Sequence, residues 1–428
     1  MAYKISKAMR KSCEDILNDF IEKYTYCLNI YDMDEREKVH SFYKKIINTL
    51  SKDDISKEEL FANFEDLARY KISIDTPYIL MTSEVYALKN ALINEMNEQD
   101  IGQNIIPIMS LFKDINNKVA FVYLHEYIYK LKTMNTLRIS SLSDLIEKNI
   151  IIYYESHLIW LSKLARQIKY EKKNDFIELD ETLCNFGRWL KEDGKEIIQN
   201  NSKFKTIDAL HTNLHLFAKK IYSHMGDDEH HIKITYLEKC ELISLSIGTE
   251  LALIDNVIMN KQVTKDALTG ALNRNALRNI FQNQYELSLA TGNRFVIGIC
   301  DLDYFKKIND THGHVAGDRI LKNFVNITKK LVRSSDIIVR YGGEEFVIIL
   351  PTLGKDKGFE VLERICHSFR DSAIEVRGKS IQATVSIGMM EIRPQKEFND
   401  SLVDEYVMIA DQQLYKAKNS GRDRVESY

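Results

Sequence analysis

The segment DIIVRYGGEEFVIIL, residues 336–350, decides the fold of the C-terminal part of the chain. Two apolar runs, 336–341 and 346–350, flank a short stretch with two glycines and two glutamates. Runs rich in Ile and Val that are separated by a glycine-bearing turn are typical of a β-hairpin. The segment therefore predicts two strands joined at residues 342–345.

The region around this hairpin alternates between strands and helices. The apolar run 295–300 predicts a buried strand that ends at Asp301-Leu302-Asp303, and 381–392 predicts a further strand. Four helices are predicted between the strands: 273–290, 314–333, 357–372 and 402–419. Residues 266–428 also contain 12 of the 17 glycines, as expected of a turn-rich domain. The pattern predicts an α+β sandwich.

The bulk composition excludes several classes of protein. The chain has 428 residues, and 59 basic against 62 acidic residues give a net charge of −3, which is no footprint for nucleic acid or an anionic membrane. No apolar run approaches the length needed to span a bilayer, and the first residues lack the apolar stretch of a secretory signal. The six cysteines are scattered without a CxxC pair. We expect a cytoplasmic protein with reduced thiols.

Two acidic clusters, Asp301-Leu302-Asp303 and Glu344-Glu345, lie at the ends of predicted strands. If these strands are neighbours, Asp301 and Glu344 converge, and paired carboxylates repel unless a hard divalent cation lies between them. Such a cation is what phosphoryl or nucleotidyl transfer requires. The glycines Gly342 and Gly343 would let the backbone approach a phosphate and adopt positive φ.

Four sequence blocks, in order, resemble the signature blocks of the GGDEF diguanylate cyclases: DALTGALNR at 266–274, DLDYFKKINDTHGHVAGD at 301–318, RYGGEEF at 340–346 and YKAKNSGRDRV at 415–425. The resemblance implies a ferredoxin-like palm that condenses two GTP into cyclic di-GMP and two pyrophosphates. It implies Mg²⁺ or Mn²⁺ held by Asp301, the Leu302 carbonyl and Glu344. Glu345 would assist the 3′-hydroxyl nucleophile.

The same resemblance implies the substrate-binding residues. Asn309 and Asp318 would bind the guanine edge, whose N1–H and N2–H₂ donors suit a carboxylate acceptor. Lys306, Lys418 and Arg422 would bind phosphates, as their positive charge also suggests. Because a two-fold symmetric product needs two GTP-loaded domains face to face, the enzyme would act as a homodimer.

An inhibitory product site is also implied by the resemblance. Arg333 and Asp336 form an RxxD motif that ends shortly before the hairpin turn, at the family's spacing, and Arg364 matches a further family arginine. Arginine forks suit guanine and phosphate edges. From the motif alone, a surface ion pair is the alternative.

The first 265 residues are poor in glycine and proline and predict helices, at 8–30, 34–50, 57–71, 77–97 and about 110–135, followed by a second helical block. We divide the chain into four parts: a helical sensory or dimerisation domain (1–140), a helical bundle (141–230), a signalling helix (231–262) and the cyclase domain (263–428). In the signalling helix a coiled-coil-like seam fit to join two subunits runs through Cys240, Ile243, Ile247, Leu251, Ile254 and Ile258. In the first part His125 lies in an apolar stretch, which favours a core histidine over a haem ligand.

The bundle contains a histidine and cysteine pattern. His211 and His215 share one helical face at i, i+4, and with His157 and Cys184 they could form a tetrahedral Zn²⁺ site. From spacing alone, a surface pair and a packing cysteine remain the alternative.

The motifs HLIW (157–160), CNFGRWL (184–190) and HTNLH (211–215) resemble the chemoreceptor zinc-binding (CZB) domain. That resemblance implies Zn²⁺ on His157, Cys184, His211 and His215. The whole architecture is similar to that of diguanylate cyclases repressed by zinc. Two other readings stay open: a catalytically silent receptor for cyclic di-GMP or GTP, and a chemotaxis-type metal sensor.

Overall fold

The computed structural model describes Phe20 and residues 33–52, 56–94, 98–145, 150–171, 177–262, 265–376 and 378–428. These residues fall into two compact units. One is drawn from Met1–Lys132, Lys163–Ile177 and Leu216–Cys240, and the other from Thr133–Ser162, Glu178–His215 and Glu241–Tyr428. The helix predicted over 8–30 lies, except for Phe20, outside the described residues.

The N-terminal part is helical, as predicted. Its helices are α1 (Met33–Leu50), α2 (Lys57–Ser73), α3 (Tyr78–Asn94) and α4 (Glu98–Asp144). Helix α4 is much longer than the predicted 110–135, because its polar C-terminal residues are buried rather than solvated: Asn135, Arg138 and Ser141 are 1–5% exposed. In the first unit an ion pair between Lys71 and Glu84, 2.6 Å apart and buried, fixes α2 against α3.

The bundle is built from further helices. They are α5 (Ile152–Lys169), α6 (Asn185–Trp189), a π-helical turn (Leu190–Gly194), α7 (Lys195–Ile197), α8 (Asn201–Ser223) and α9 (His230–Gln262). In the second unit, the backbone N–H groups of Ile150 and Ile151 donate to Asp255 of α9, which closes the start of α5 onto that helix. The helix predicted over 231–262 is present as α9.

The seam of α9 is not an exposed dimer face. Cys240, Ile247 and Leu251 have no exposed surface, and Ile247 and Leu251 pack among the chain's own bundle residues. The prediction that this seam joins two subunits is therefore wrong for this packing, because intrachain helices fill it. Among the described helices, His230–Met259 of α9 alone is long and apolar enough to cross a membrane, and a buried core helix has the same composition.

The C-terminal part is the predicted α+β domain. Its strands are β1 (Leu272–Asn273), β2 (Phe295–Leu302), β3 (Ile337–Arg340), β4 (Glu345–Pro351), β5 (Ala373–Val376), β6 (Lys379–Gln382), β7 (Val385–Ile392) and β8 (Val425–Ser427). Six strands form one sheet in the order β1-β3-β4-β2-β7-β8, and β5 and β6 form a separate pair. Strands β3 and β4 pair antiparallel, which confirms the hairpin over 336–350.

Helices cover both faces of the large sheet. They are α10 (Leu277–Thr291), α11 (Phe305–His312), α12 (His314–Leu331), α13 (Lys355–Arg370) and α14 (Ser401–Asn419). Side chains of α12 and α13 pack on one face of the sheet, and those of α10 and α14 on the other. The single strand predicted over 381–392 is two, β6 and β7, because the chain turns at 383–384. Helix α11 was not predicted, since it has few apolar residues.

Helix α10 is buried on all sides over residues 283–291. Tyr285 and Leu289 face the sheet, whereas Leu287 and Ala290 pack with Ile247 and Leu251 of the bundle helix α9. Polar residues of α10 are buried too: Asn283, Gln284, Glu286, Ser288 and Thr291 are 1–3% exposed. The C-terminal domain therefore contacts the bundle through this helix.

Candidate active site and candidate metal centre

Sheet register brings the acidic residues of the C-terminal domain together. Asp301, at the end of β2, lies opposite Glu345, the first residue of β4. The next residue, Leu302, donates its backbone N–H to the carbonyl of Glu344 at 3.3 Å. The register thus brings Asp301 to the Glu344-Glu345 pair, and a shared metal between Asp301 and Glu344 stays a prediction. A carboxylate, a neighbouring carbonyl and a second carboxylate are oxygen ligands of the kind that Mg²⁺ prefers.

The hairpin turn is held from outside the acidic cluster. Arg340 donates to the carbonyl of Gly343 at 2.9 Å and pairs with Asp266 at 3.2 Å. Gly342 and Gly343 were expected to adopt positive φ, which is wrong: neither is among the glycines with positive φ in the described chain. A Cβ at Gly342 would lie 2.7 Å from Glu345 Oε2, so a larger residue there would displace the Glu345 carboxylate.

Basic residues lie beside the acidic cluster. Lys418 Nζ is 2.8 Å from Asp301 Oδ2. The Arg422 guanidinium lies over the ring of Tyr304, 4.6 Å from its centroid, and Lys306 is exposed on α11. Helix α14, which contains Lys418, packs directly on the sheet. The two are so close that a Cβ at Gly388 would lie 2.1 Å from the backbone of α14. Of the three, Lys418 places positive charge directly on the acidic cluster, whereas Arg422 contacts Tyr304 and lies 3.9 Å from Asp303.

The predicted guanine-binding residues lie at the junction of α11 and α12. Asn309 Oδ1 is shielded from solvent and has no hydrogen-bond partner among the described residues. A Cβ at Gly317 would lie 2.0 Å from that oxygen, so only glycine leaves room for the amide beside Asp318. Asp318 itself is exposed. An unsatisfied amide beside an exposed carboxylate can accept the donors of a guanine edge.

One buried carboxylate was not predicted as a site residue. Asp303 is 3% exposed and accepts hydrogen bonds from Thr384 and Ser386, each at 2.7 Å. It also accepts from the backbone N–H of Asp423 at 3.2 Å. Asp301 and Asp303 are two residues apart, a spacing that would place both on one face of a continuous strand, so the sequence pattern gave no signal that separates them. The structure separates them because β2 ends at Leu302.

The RxxD residues lie together at the end of α12. Asp336 accepts from the backbone N–H of Arg333 at 2.7 Å, and burial raises the pKa of Asp336 to about 6. Arg364 donates to the carbonyl of Leu331 at 2.9 Å, which places its guanidinium beside this turn. Arg333 and Arg364 are exposed, whereas Asp336 is buried and closes the turn. The two arginines therefore form the accessible part of the cluster.

Three of the four proposed zinc ligands meet in the bundle. One ligand atom each of Cys184, His211 and His215 lies within 4.8 Å of the others, and Cys184 Sγ is 3.2 Å from His211 Nε2. Cys184 caps α6 and accepts from the N–H of Gly187, where a Cβ would be 1.8 Å from the Glu181 carbonyl. The glycine in CNFGRWL thus permits the tight turn that aims the thiol at the histidines.

His157 completes the cluster. Its ring centroid is 5.1 Å from that of His211, it is 3% exposed, and neither of its nitrogens has a partner among the described residues. His215 shares a hydrogen bond of 3.1 Å between Nδ1 and the Leu179 carbonyl, and such a bond at one ring nitrogen orients the imidazole of a metal ligand. A buried histidine whose ring nitrogens have no partner among the described residues, next to a cysteine and two histidines, offers the donor set of a tetrahedral Zn²⁺ site.

The electrostatics of this cluster favour neutral imidazoles. Burial and the neighbouring His215 lower the pKa of His211 to about 3, and burial and the other histidines lower the pKa of His157 well below its usual value. Burial also raises the pKa of the Cys184 thiol. Neutral imidazole is the form that binds Zn²⁺, and a bound Zn²⁺ would draw off the thiol proton.

Two family models match the chain where these sites lie. Residues 263–424 match the diguanylate cyclase GGDEF domain, and residues 157–222 match the chemoreceptor zinc-binding domain. The chain therefore contains a GGDEF domain that follows a chemoreceptor zinc-binding domain. Both resemblances drawn from the sequence are confirmed.

Curated relatives include named cyclases. Diguanylate cyclase DgcP of Pseudomonas aeruginosa is 35% identical over 161 residues, which is 38% of this chain and 23% of that protein. Diguanylate cyclase DosC of Escherichia coli is 29% identical over 245 residues, 57% of this chain and 52% of that protein. The chain thus spans about a quarter of the first relative and about half of the second. The GGDEF domain of DgcB from Caulobacter crescentus, solved in complex with c-di-GMP, aligns with 38% of this chain and 92% of its own at 28% identity and a TM-score of 0.36.

Proposed function

We propose that this chain is a diguanylate cyclase that converts two GTP into cyclic di-GMP and two pyrophosphates. The observation that carries the proposal is the register of β2 on β4, which sets Asp301 against Glu345 and Leu302 against Glu344, with Lys418 on Asp301. The GGDEF match and the named relatives support the same activity. Because GTP is an intracellular nucleotide, we place the domain in the cytoplasm.

The residues divide the chemistry between them. Glu345 accepts the proton of a 3′-hydroxyl, whose oxygen then attacks the α-phosphorus of the other GTP. That P–O bond forms as the bond to the β-phosphate breaks, and pyrophosphate leaves against Lys418 and Arg422. The event occurs twice to close the ring. A Mg²⁺ or Mn²⁺ ion held by Asp301, the Leu302 carbonyl and Glu344 would neutralise charge that develops at the phosphate.

The reaction requires two copies of the domain. One domain binds one GTP, and each 3′-hydroxyl must reach the phosphate of the opposite nucleotide, so the two sites face each other across a two-fold axis. Since the seam of α9 is filled within the chain, this dimer is formed by other surfaces.

Zinc at the bundle would inhibit the cyclase through a shared core. Cys184, Phe186 and Trp189 belong to the same buried cluster as Leu287 and Ala290 of α10, the cyclase helix that contacts the bundle. Binding of Zn²⁺ by Cys184 and the three histidines would favour one bundle geometry. Because packed cores repack rather than deform smoothly, that preference would be transmitted to α10.

Product would inhibit at the RxxD cluster. Arg333 and Arg364 present two exposed guanidiniums close to one turn, and a guanidinium fork binds phosphate or the Hoogsteen edge of guanine. Asp336 holds the turn that presents Arg333.

Nucleotide analysis of GTP incubations with Mg²⁺ tests the activity. We expect cyclic di-GMP and two equivalents of pyrophosphate from the wild-type chain, and loss of turnover in folded Glu345→Ala. Glu363→Ala, which changes an exposed glutamate of α13, is the matched control. If the wild-type chain binds cyclic di-GMP but makes none, even with a zinc chelator, it is the catalytically silent receptor instead.

A further inference from the structure

The carboxylate of Asp303 joins three segments of the cyclase site. Its own backbone N–H donates to the Thr384 carbonyl at 2.8 Å, and its side chain accepts from the hydroxyls of Thr384 and Ser386 at the start of β7. The same side chain accepts from the N–H of Asp423 and lies 3.9 Å from Arg422 Nε. The end of β2 is thus tied to β7 and to the turn between α14 and β8.

Asp303 is not placed to bind a metal or substrate. Its side chain has no exposed surface, and both oxygens already accept hydrogen bonds: Oδ1 from Ser386, and Oδ2 from Thr384 and Asp423. Asp301, two residues earlier, lies on the side of the acidic cluster and Lys418. The two aspartates therefore have separate tasks.

The turn that Asp303 holds is an unfavourable one. Arg422 and Asp423 are consecutive non-glycine residues with φ of 65° and 53°, in the left-handed region that side chains disfavour. Such a conformation persists where surrounding contacts impose it. Asp303 supplies one contact from within, and Arg370 supplies another by donating to the Asp423 carbonyl at 3.2 Å.

This turn sets the direction of Arg422. With the backbone held, the guanidinium stacks on Tyr304 and donates to the Tyr304 hydroxyl at 3.3 Å. Without the Asp303 contacts the turn would relax toward ordinary φ values, and the side chain would leave the edge of the site. A charged group that is already aligned loses less entropy when phosphate arrives.

We propose that Asp303 is a positioning residue that holds the 420–424 turn so that Arg422 meets the β- and γ-phosphates of the nucleotide. The inference rests on the proposed GTP-dependent function and names the part of the nucleotide that depends on this buried carboxylate. Asp303 would therefore contribute to binding of the polyphosphate part of the substrate and not to recognition of the guanine base.

Nucleotide binding by the full chain, measured by calorimetry with Mg²⁺, tests the proposal. Asp303→Asn removes the charge and replaces one of the two acceptor oxygens with an NH₂ donor, so one side of the network that holds the turn is lost. We expect GTP affinity to fall about tenfold while GMP affinity changes less than about twofold. Asp356→Asn, an exposed aspartate of α13, is the control and should bind both as wild type does. If Asp303→Asn does not fold, Thr384→Val removes one of the donors and should give a smaller loss with the same selectivity.

A double variant separates positioning from general damage. If Asp303 acts through Arg422, Asp303→Asn should lower GTP affinity by less than about threefold in an Arg422→Ala background. Three results would each overturn the proposal. They are losses of GTP affinity that multiply in the double variant, equal losses of GTP and GMP affinity in Asp303→Asn, and unchanged GTP affinity in Asp303→Asn. Failure of the wild-type chain to bind GTP would instead remove the proposed function.

Discussion

Burial of Glu286 makes the contact between the cyclase domain and the bundle sensitive to pH. Glu286 lies on α10, is 2% exposed, and has one carboxylate oxygen without a hydrogen-bond partner among the described residues. Burial raises its pKa to about 7, and Ser141 on α4 opposes this, whereas Asp144 on α4 and Glu397 add to it. In the unfolded chain the carboxyl returns to its ordinary value of 4.5.

The sign and size of the effect follow from these two values. Below about pH 4.5 the group is protonated in both states, so it does not affect stability through ionisation. Between about pH 4.5 and 7 the folded chain keeps the proton and the unfolded chain releases it, so stability falls as the pH rises. A shift of roughly 2.5 units at 1.36 kcal/mol each gives a total of roughly 3 kcal/mol, of which roughly 2.5 kcal/mol falls between pH 5 and 8.

Glu286→Gln removes this ionisation. We expect the free energy of unfolding of the variant to rise, relative to that of wild type, by roughly 2.5 kcal/mol between pH 5 and pH 8, because only wild type loses stability over this range. Denaturant titrations followed by tryptophan fluorescence measure this, because both tryptophans, Trp160 and Trp189, lie in the bundle. Glu363→Gln, at an exposed position, is the control and should keep the wild-type profile. A constant difference between Glu286→Gln and wild type at both pH values would refute the reasoning.

Three further predictions concern the zinc, guanine and product sites. Cys184→Ala should weaken zinc binding by at least about 100-fold and raise cyclase activity in zinc-containing buffer. The control Cys240→Ala, at another buried cysteine, should change neither quantity. Zinc titrations and initial rates measure both, and repression of the Cys184→Ala variant by zinc would contradict the prediction. Gly317→Ala should raise the KM for GTP about tenfold, because its Cβ displaces the Asn309 amide, and an unchanged KM would show that the amide does not bind the base. Arg364→Ala should raise the inhibition constant of cyclic di-GMP at least about tenfold in rate assays, and undiminished inhibition would exclude this cluster as the product site.

Much of the cyclase domain could be predicted from the sequence because its signals are local. The hairpin over 336–350 depends on two short apolar runs and a turn, and the structure pairs them as expected. The approach of Asp301 to the glutamates depends on β2 lying beside β4. The order of the motifs suggested that pairing, whereas their spacing along the chain alone did not.

Features that depend on distant contacts could not be predicted. The polar residues of α10 suggest a solvated face, yet bundle helices cover them. The regular spacing of Ile247 and Leu251 suggests a subunit seam, yet the chain's own helices fill it, since periodicity shows that a face is buried but not what covers it. Asp303 was overlooked because its partners are about 80 and 120 residues away.

Turnover of GTP by the full chain with and without a zinc chelator tests the central claim most directly. Nucleotide analysis should show cyclic di-GMP and pyrophosphate in a 1:2 ratio, formed faster when zinc is removed and slower when it is restored. Product that forms at the same rate in both conditions would contradict zinc control, and the absence of product in either would contradict the cyclase itself.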